Sequence, residues 1–148
     1  MKPKIIAVVG PTASGKTSLG IKIAKEVGGE IISVDSRQIY KGMDIVTGKE
    51  PGEWDEEQRV LITEGIEHWG VDLVNPDENY SAADFKEYAE KKIEEILEKG
   101  KVPVLVGGTG FWLQALIDNF DLTQTAADPE LREELEKNRT SLGQLDYL

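Results

Sequence analysis

Residues 5 to 17 read Ile5-Ile6-Ala7-Val8-Val9-Gly10-Pro11-Thr12-Ala13-Ser14-Gly15-Lys16-Thr17, and this stretch decides the fold. Five apolar residues form a short buried strand. The next eight satisfy G-x-x-x-x-G-K-[ST], a phosphate-loop pattern that belongs between a strand and a helix. Glycines let the backbone curl so that successive N–H groups converge on one anion. Lys16 adds a full positive charge and Thr17 offers a hydroxyl to a metal ion. The helix that follows, roughly Lys16 to Val27, aims its positive end at the same point. The residues expected to hold a diphosphate or nucleotide are Gly10, Pro11, Thr12, Ala13, Ser14, Gly15, Lys16 and Thr17. Taken alone, the motif suits ATP and phosphoryl transfer, but it does not name the ligand or its fate.

Working outward, 148 residues suit one domain able to bury about two thirds of its unfolded surface. Without cysteine, disulfides and thiolate metal sites are excluded. No apolar run approaches the roughly 20 residues of a membrane helix, and the start resembles no secretory signal. The expectation is a cytoplasmic monomer with no membrane partner. The formal net charge of −11 argues against a general grip on nucleic acid. The acid gathers in 50–57, 84–98 and 128–136, whereas Lys16, Arg37 and Lys41 are expected at the mouth of the site.

Strand two is expected at Glu30 to Val34, after a helix stop at Gly28-Gly29. Residues 41–68, mixing glycine, proline, acid and Trp54, read as a long loop with at most a short helix. Val71 to Val74 reads as a brief strand. A clear helix runs from Ala82 to Lys99, with Ser81 as N-cap and Asp84 answering it. Strand three is Val102 to Val106. Gly107-Gly108-Thr109-Gly110 leads into a helix to about Asp118, and Asp128-Pro129 opens another to about Lys137. Short apolar strands alternating with amphipathic helices predict an α/β fold, here a three-layer phosphate-loop fold with a mainly parallel sheet. Ligands in such sheets bind beyond the carboxyl ends of the strands. Three such ends carry polar loops and should open on one crevice.

Asp35 ends strand two beside the phosphate loop. Its carboxylate suits a second metal anchor, a general base beside a bound diphosphate, or a loop cap on nearby N–H groups. Position does not choose among these. Thr109 suits a donor to a phosphate oxygen, although glycines like its neighbours often serve only close packing.

Three blocks, G-P-T-A-S-G-K-T at 10–17, I-S-V-D-S-R-Q-I-Y-K-G-M-D-I at 32–45 and V-L-V-G-G-T-G-F-W-L-Q-A-L at 104–116, together resemble the tRNA dimethylallyltransferase family. N-P-D-E-N-Y-S-A-A-D-F at 75–85 and A-D-P-E-L-R at 127–132 echo it. The resemblance implies transfer of a dimethylallyl group from dimethylallyl diphosphate to the exocyclic amine of the adenine 3′ to the anticodon in tRNA. It implies Asp35, Thr109 and Lys16 as catalytic residues and Mg2+ held in part by Thr17. It implies tRNA contacts from Asp35, Ser36, Arg37, Gln38, Thr109 and Arg132, with an anticodon stem-loop as partner. An adenine treated in this way must leave its stack. The implied organisation is a catalytic core over 1–122 and the start of a helical tRNA-binding insertion over 123–148.

The chain also departs from that pattern. Val46-Thr47-Gly48-Lys49-Glu50 stands where the family has Gly-Thr-Ala-Lys-Pro. Trp69 follows His68 where the family pairs two histidines, and the single histidine is given no role. Family members continue with further helices, strands and basic residues, so the core reads as incomplete. Two other readings are a small-molecule kinase of the phosphate-loop class, which needs lid arginines scarce in this sequence, and a phosphate-binding fragment without activity.

Overall fold

In the computed structural model, which describes residues 4–44, 48–122 and 128–141, one sheet lies between two layers of helix. The elements are β1 (Ile6–Val9), α1 (Lys16–Val27), β2 (Gly29–Val34), β3 (Glu53–Asp55), β4 (Val60–Thr63), β5 (Ile66–Trp69), α2 (Ala82–Glu98), β6 (Val102–Gly107), α3 (Gly110–Ile117) and α4 (Pro129–Ser141). The sheet order is β1-β6-β2-β5-β4-β3. The first four strands in that order pair in parallel, and β4 and β3 are antiparallel. All six residues of β2 are buried, as a strand covered on both faces requires.

Side-chain alternation sorts the core. Ile31, Val104 and Val106 pack under Ile21 and Ala24 of α1. Ile32, Val34 and Leu105 face the other way, against Phe85, Ile93 and Ile96 of α2 and Trp112 of α3. The Phe85 and Trp112 rings stack at 4.6 Å. Local signals behave as the sequence suggests. Ser81 and Asp84 form a complete capping box, and Asp128 Oδ1 accepts from the N–H groups of Glu130 and Leu131.

The expectation of a loop over 41–68 is corrected, because β3, β4 and β5 lie within it. Glu64 (φ 51°) and Gly65 (φ 79°) form the two-residue turn between β4 and β5. Two consecutive positive φ angles match the twist of a tight hairpin. The strand expected at Val71 to Val74 is only a single bridge from Val74 to Tyr40; the strand itself ends at Trp69. Trp69 Nε1 donates to Glu30 Oε2 at 2.6 Å, and Lys99 and Lys101 pair with the same buried carboxylate at 3.1 and 2.8 Å. Burial pushes the Glu30 carboxyl up, but hydrogen bonds from Lys101, Trp69 and Lys99 outweigh it and hold the group below its ordinary range. Trp69 therefore closes the buried start of β2. No helix among the described residues is long and apolar enough to cross a membrane. The expected boundary at 122/123 adjoins residues 123–127, which lie outside the described residues, as do 1–3, 45–47 and 142–148.

Candidate functional site

The phosphate loop joins the end of β1 to α1. Ala13 (φ 60°) and Gly15 (φ 83°) are both left-handed, and such turns set backbone N–H groups around a concavity suited to an anion. Gly15 is the N-cap of α1 and offers no side-chain acceptor, and the first turn holds no acidic residue. The positive end of the helix thus meets the loop without a competing carboxylate. Ser14 Oγ and Lys16 Nζ both donate to Pro11 O, at 2.7 and 2.6 Å.

The ends of β2 and β6 meet beside this loop. Val34 pairs with Gly107, and a Cβ at position 107 would overlap the Val34 carbonyl, 2.6 Å from its carbon. Only glycine permits that approach. Thr109 N–H donates to Val34 O at 3.3 Å, and Ser36 N–H donates to Thr109 Oγ1 at 3.0 Å. Asp35 Oδ1 accepts from the N–H groups of Arg37 and Gln38, at 2.8 and 3.3 Å. The loop-cap arrangement is therefore present. Both bonds fall on Oδ1, so capping leaves Oδ2 in neither bond.

These three strand ends open on one cleft of about 720 Å3. Residues 12–17 line it, as do Asp35, Ser36, Arg37, Gln38 and Thr109. Gly10 and Pro11 are not among its lining residues; Pro11 supports the loop through its carbonyl. Lys41, expected at the mouth, is not on the wall either, and its N–H donates to Val74 O. Arg132 lies in α4, and its side chain is outside the described ones.

Several wall residues escaped the sequence reading. Ser33, Gly48, Glu50 and His68 line the cleft, with Ile31, Leu61, Val71 and Val106 as apolar surface. His68 pairs with Ile31 of β2 and Leu61 of β4. It is 4% exposed, its Nε2 has no hydrogen-bond partner among the described residues, and burial lowers its pKa to about 4. The imidazole is neutral at neutral pH. Lys49, with 4% of its side chain exposed, donates to Tyr40 O at 2.7 Å, Asp44 Oδ1 at 2.9 Å and Asp72. The two-strand signal of Val60 to Trp69 around Glu64-Gly65 was the available clue to His68.

Among the described residues, no group of three or more His, Cys, Asp or Glu is placed to hold a metal. Thr17 nevertheless lines the cleft beside Lys16. A site with one protein oxygen fits Mg2+, which keeps waters and takes most other ligands from substrate phosphates.

A family model described as IPP transferase matches residues 38–147. The tRNA dimethylallyltransferase of Acetivibrio thermocellus is 51% identical over 97% of this chain and 43% of the relative. That of Carboxydothermus hydrogenoformans is 47% identical over 97% and 43%. Among solved structures, the tRNA isopentenylpyrophosphate transferase of Bacillus halodurans superposes with a TM-score of 0.73 at 44% identity, over 96% of this chain and 44% of that one. A eukaryotic dimethylallyltransferase acting on tRNA gives 0.68 at 37% identity, over 78% and 27%. The chain spans less than half the length of the curated relatives it matches.

Proposed function

The chain belongs to the IPP transferase family, and from that we propose that its cleft carries a dimethylallyl diphosphate beside the adenine 3′ to a tRNA anticodon. The reaction moves the dimethylallyl group to the exocyclic amine of that adenine. One observation carries the reading: the phosphate loop, Asp35 and Thr109 share a single cleft.

In the reaction the amine nitrogen attacks the allylic carbon. The bond from that carbon to the diphosphate oxygen breaks, and its electron pair leaves with the diphosphate. The loop N–H groups and Lys16 take up the growing charge. Thr109 Oγ1 already accepts from Ser36 N–H, and its own proton has only a 3.5 Å contact with Ser36 Oγ, so it is suited to donate to a diphosphate oxygen. Asp35 Oδ2 takes the proton that the attacking amine must lose. Mg2+ bound through Thr17 and the diphosphate would neutralise further charge on the leaving group. Ile31, Leu61 and Val71 suit the hydrocarbon tail. Ser36, Arg37, Gln38 and, from α4, Arg132 belong to the tRNA side. The same proposal takes 1–122 as the core and 123–148 as the start of a tRNA-binding insertion, working as a monomer in the cytoplasm.

Calorimetry with inorganic diphosphate, dimethylallyl diphosphate and ATP tests the ligand. Dimethylallyl diphosphate should bind about tenfold or more tighter than inorganic diphosphate, since each buried CH2 contributes about 0.8 kcal/mol. Tightest binding of ATP, with its turnover on a small acceptor, would overturn the reading in favour of a kinase.

A further inference from the structure

We infer that His68 makes the tail end of the cleft a binding site for a hydroxyl, so that the protein accepts a dimethylallyl diphosphate hydroxylated on a terminal methyl carbon and transfers that group as well as the plain one. The inference rests on the proposed function, because it refines the donor class of the same site.

His68 stands in the middle of the surface offered to the tail. It pairs with Ile31 of β2 on one side and Leu61 of β4 on the other, and directly paired residues project from the same face of a sheet. Val71 completes that apolar wall. The sheet order suits the donor. The phosphate loop follows β1, Thr109 follows β6, Asp35 follows β2, and His68 lies on β5, the next strand across. A donor with its diphosphate in the loop and its reacting carbon near Asp35 therefore carries its methyl groups on toward His68.

A hydrocarbon floor needs no nitrogen there. His68 is 4% exposed, and its Nε2 is enclosed without a partner among the described residues. No hydrogen bond offsets the burial that keeps the ring neutral. An unpaired buried polar atom is costly, and a plain methyl group covers it without relieving it. A hydroxyl relieves it. A neutral imidazole has one nitrogen that donates and one that accepts. A hydroxyl does both, so it pairs with whichever nitrogen it meets. With no hydrogen bond to hold it, the ring exchanges edges by a half turn about Cβ–Cγ, which changes its shape little. Between the two orientations a nitrogen occupies each of the four ring positions beyond Cγ, so the edge toward the cleft presents one in one orientation or the other. The transfer step keeps its chemistry. The amine nitrogen bonds to the allylic carbon, the bond from that carbon to the diphosphate oxygen breaks, and its electron pair leaves with the diphosphate. Asp35 takes the amine proton. The hydroxyl arrives on the donor and stays on the product, so the step needs no oxidant.

The test compares, by calorimetry, Kd values for inorganic diphosphate, dimethylallyl diphosphate and the two donors hydroxylated on one or the other methyl. The proteins are native, His68→Leu and His68→Gln. Native protein should bind one hydroxylated donor at least as tightly as the plain one. His68→Leu removes the partner and should weaken that donor about tenfold relative to the plain one, the worth of one hydrogen bond. His68→Gln, whose amide donates and accepts, should hold the native ratio. A purely structural role for the ring would change both donors together and leave the ratio unmoved. Because His68 is the only histidine, its imidazole 15N NMR signals report the contact in native protein, and they should differ between the hydroxylated and the plain donor. The stem-loop product made from the hydroxylated donor should retain the hydroxyl by mass. Tenfold native discrimination against both hydroxylated donors, one ratio shared by native protein and His68→Leu, or imidazole signals identical with both kinds of donor would overturn the role of His68. A plain donor that outbinds inorganic diphosphate when neither hydroxylated one does refutes this inference alone; if no donor outbinds it, the proposed function falls as well.

Discussion

Replacing Lys16 by alanine removes the one full charge that the phosphate loop contributes. In this structure Nζ donates to Pro11 O at 2.6 Å. Binding a diphosphate exchanges that bond for a charge-assisted one. The charged bond contributes about 1.5–3 kcal/mol and the carbonyl bond about 1 kcal/mol. The exchange alone therefore gains about 0.5–2 kcal/mol. The ion pair itself adds attraction, which the open mouth and dissolved salt screen. A loss of about 1.5–3 kcal/mol corresponds to a Kd for inorganic diphosphate raised roughly 10- to 150-fold. Because the lost charge is part of an ion contact, the difference between native and variant should shrink as salt rises. Titration calorimetry at two ionic strengths measures both effects. Lys16 makes no other side-chain hydrogen bond among the described residues and Pro11 is exposed, so Tm should move by no more than about 2 °C. A Kd within twofold of native, with the fold intact, would refute the assignment of the loop as the anion cradle.

Two further outcomes follow from the geometry. Gly107→Ala pushes a methyl group into the Val34 carbonyl and should cost about 3 kcal/mol, lowering Tm by roughly 6–12 °C; an unchanged melting curve would contradict the close approach of β2 and β6. His68 is the only histidine, and its pKa falls from 6.5 to about 4 on burial. The unfolded chain therefore binds more protons between these values. The neutral imidazole's contribution is full above pH 6.5 and is lost as pH falls toward 4, by about 3 kcal/mol in all. Native Tm should decline between pH 6.5 and 5, where His68→Leu stays flat; parallel declines would show that other groups control acid stability.

The sequence reading succeeded where a signal is local. Gly10 to Thr17 carries its own strand and helix, Ser81 answers Asp84 within one turn, and Asp128 caps the next residues. It failed over 41–68 because β3, β4 and β5 are three or four residues long, too short for a period to stand out. The turn at Glu64-Gly65 was the usable clue. The site divides in the same way. Residues next to a motif, such as Asp35 and Thr109, were legible. Ser33, Gly48 and His68 were not, because the wall they form arises from pairing between distant strands, as where Ile31 meets His68. Trp69 was also illegible, since its role depends on Glu30, Lys99 and Lys101 gathering at the far end of the sheet.

The central claim is that Asp35 removes a proton from an adenine amine attacking a dimethylallyl diphosphate held by the loop. Asp35→Asn tests it cleanly, because the amide keeps an oxygen to accept from Arg37 and Gln38 while losing the base. The measurement is transfer of labelled dimethylallyl groups to an anticodon stem-loop, with the Kd for diphosphate taken on the same samples. The account predicts prenylated adenine from the native protein, a rate about a hundred- to ten-thousand-fold lower in Asp35→Asn, and the same Kd in both. Equal rates from native protein and variant, or no product from a native protein that binds the donor, would contradict it.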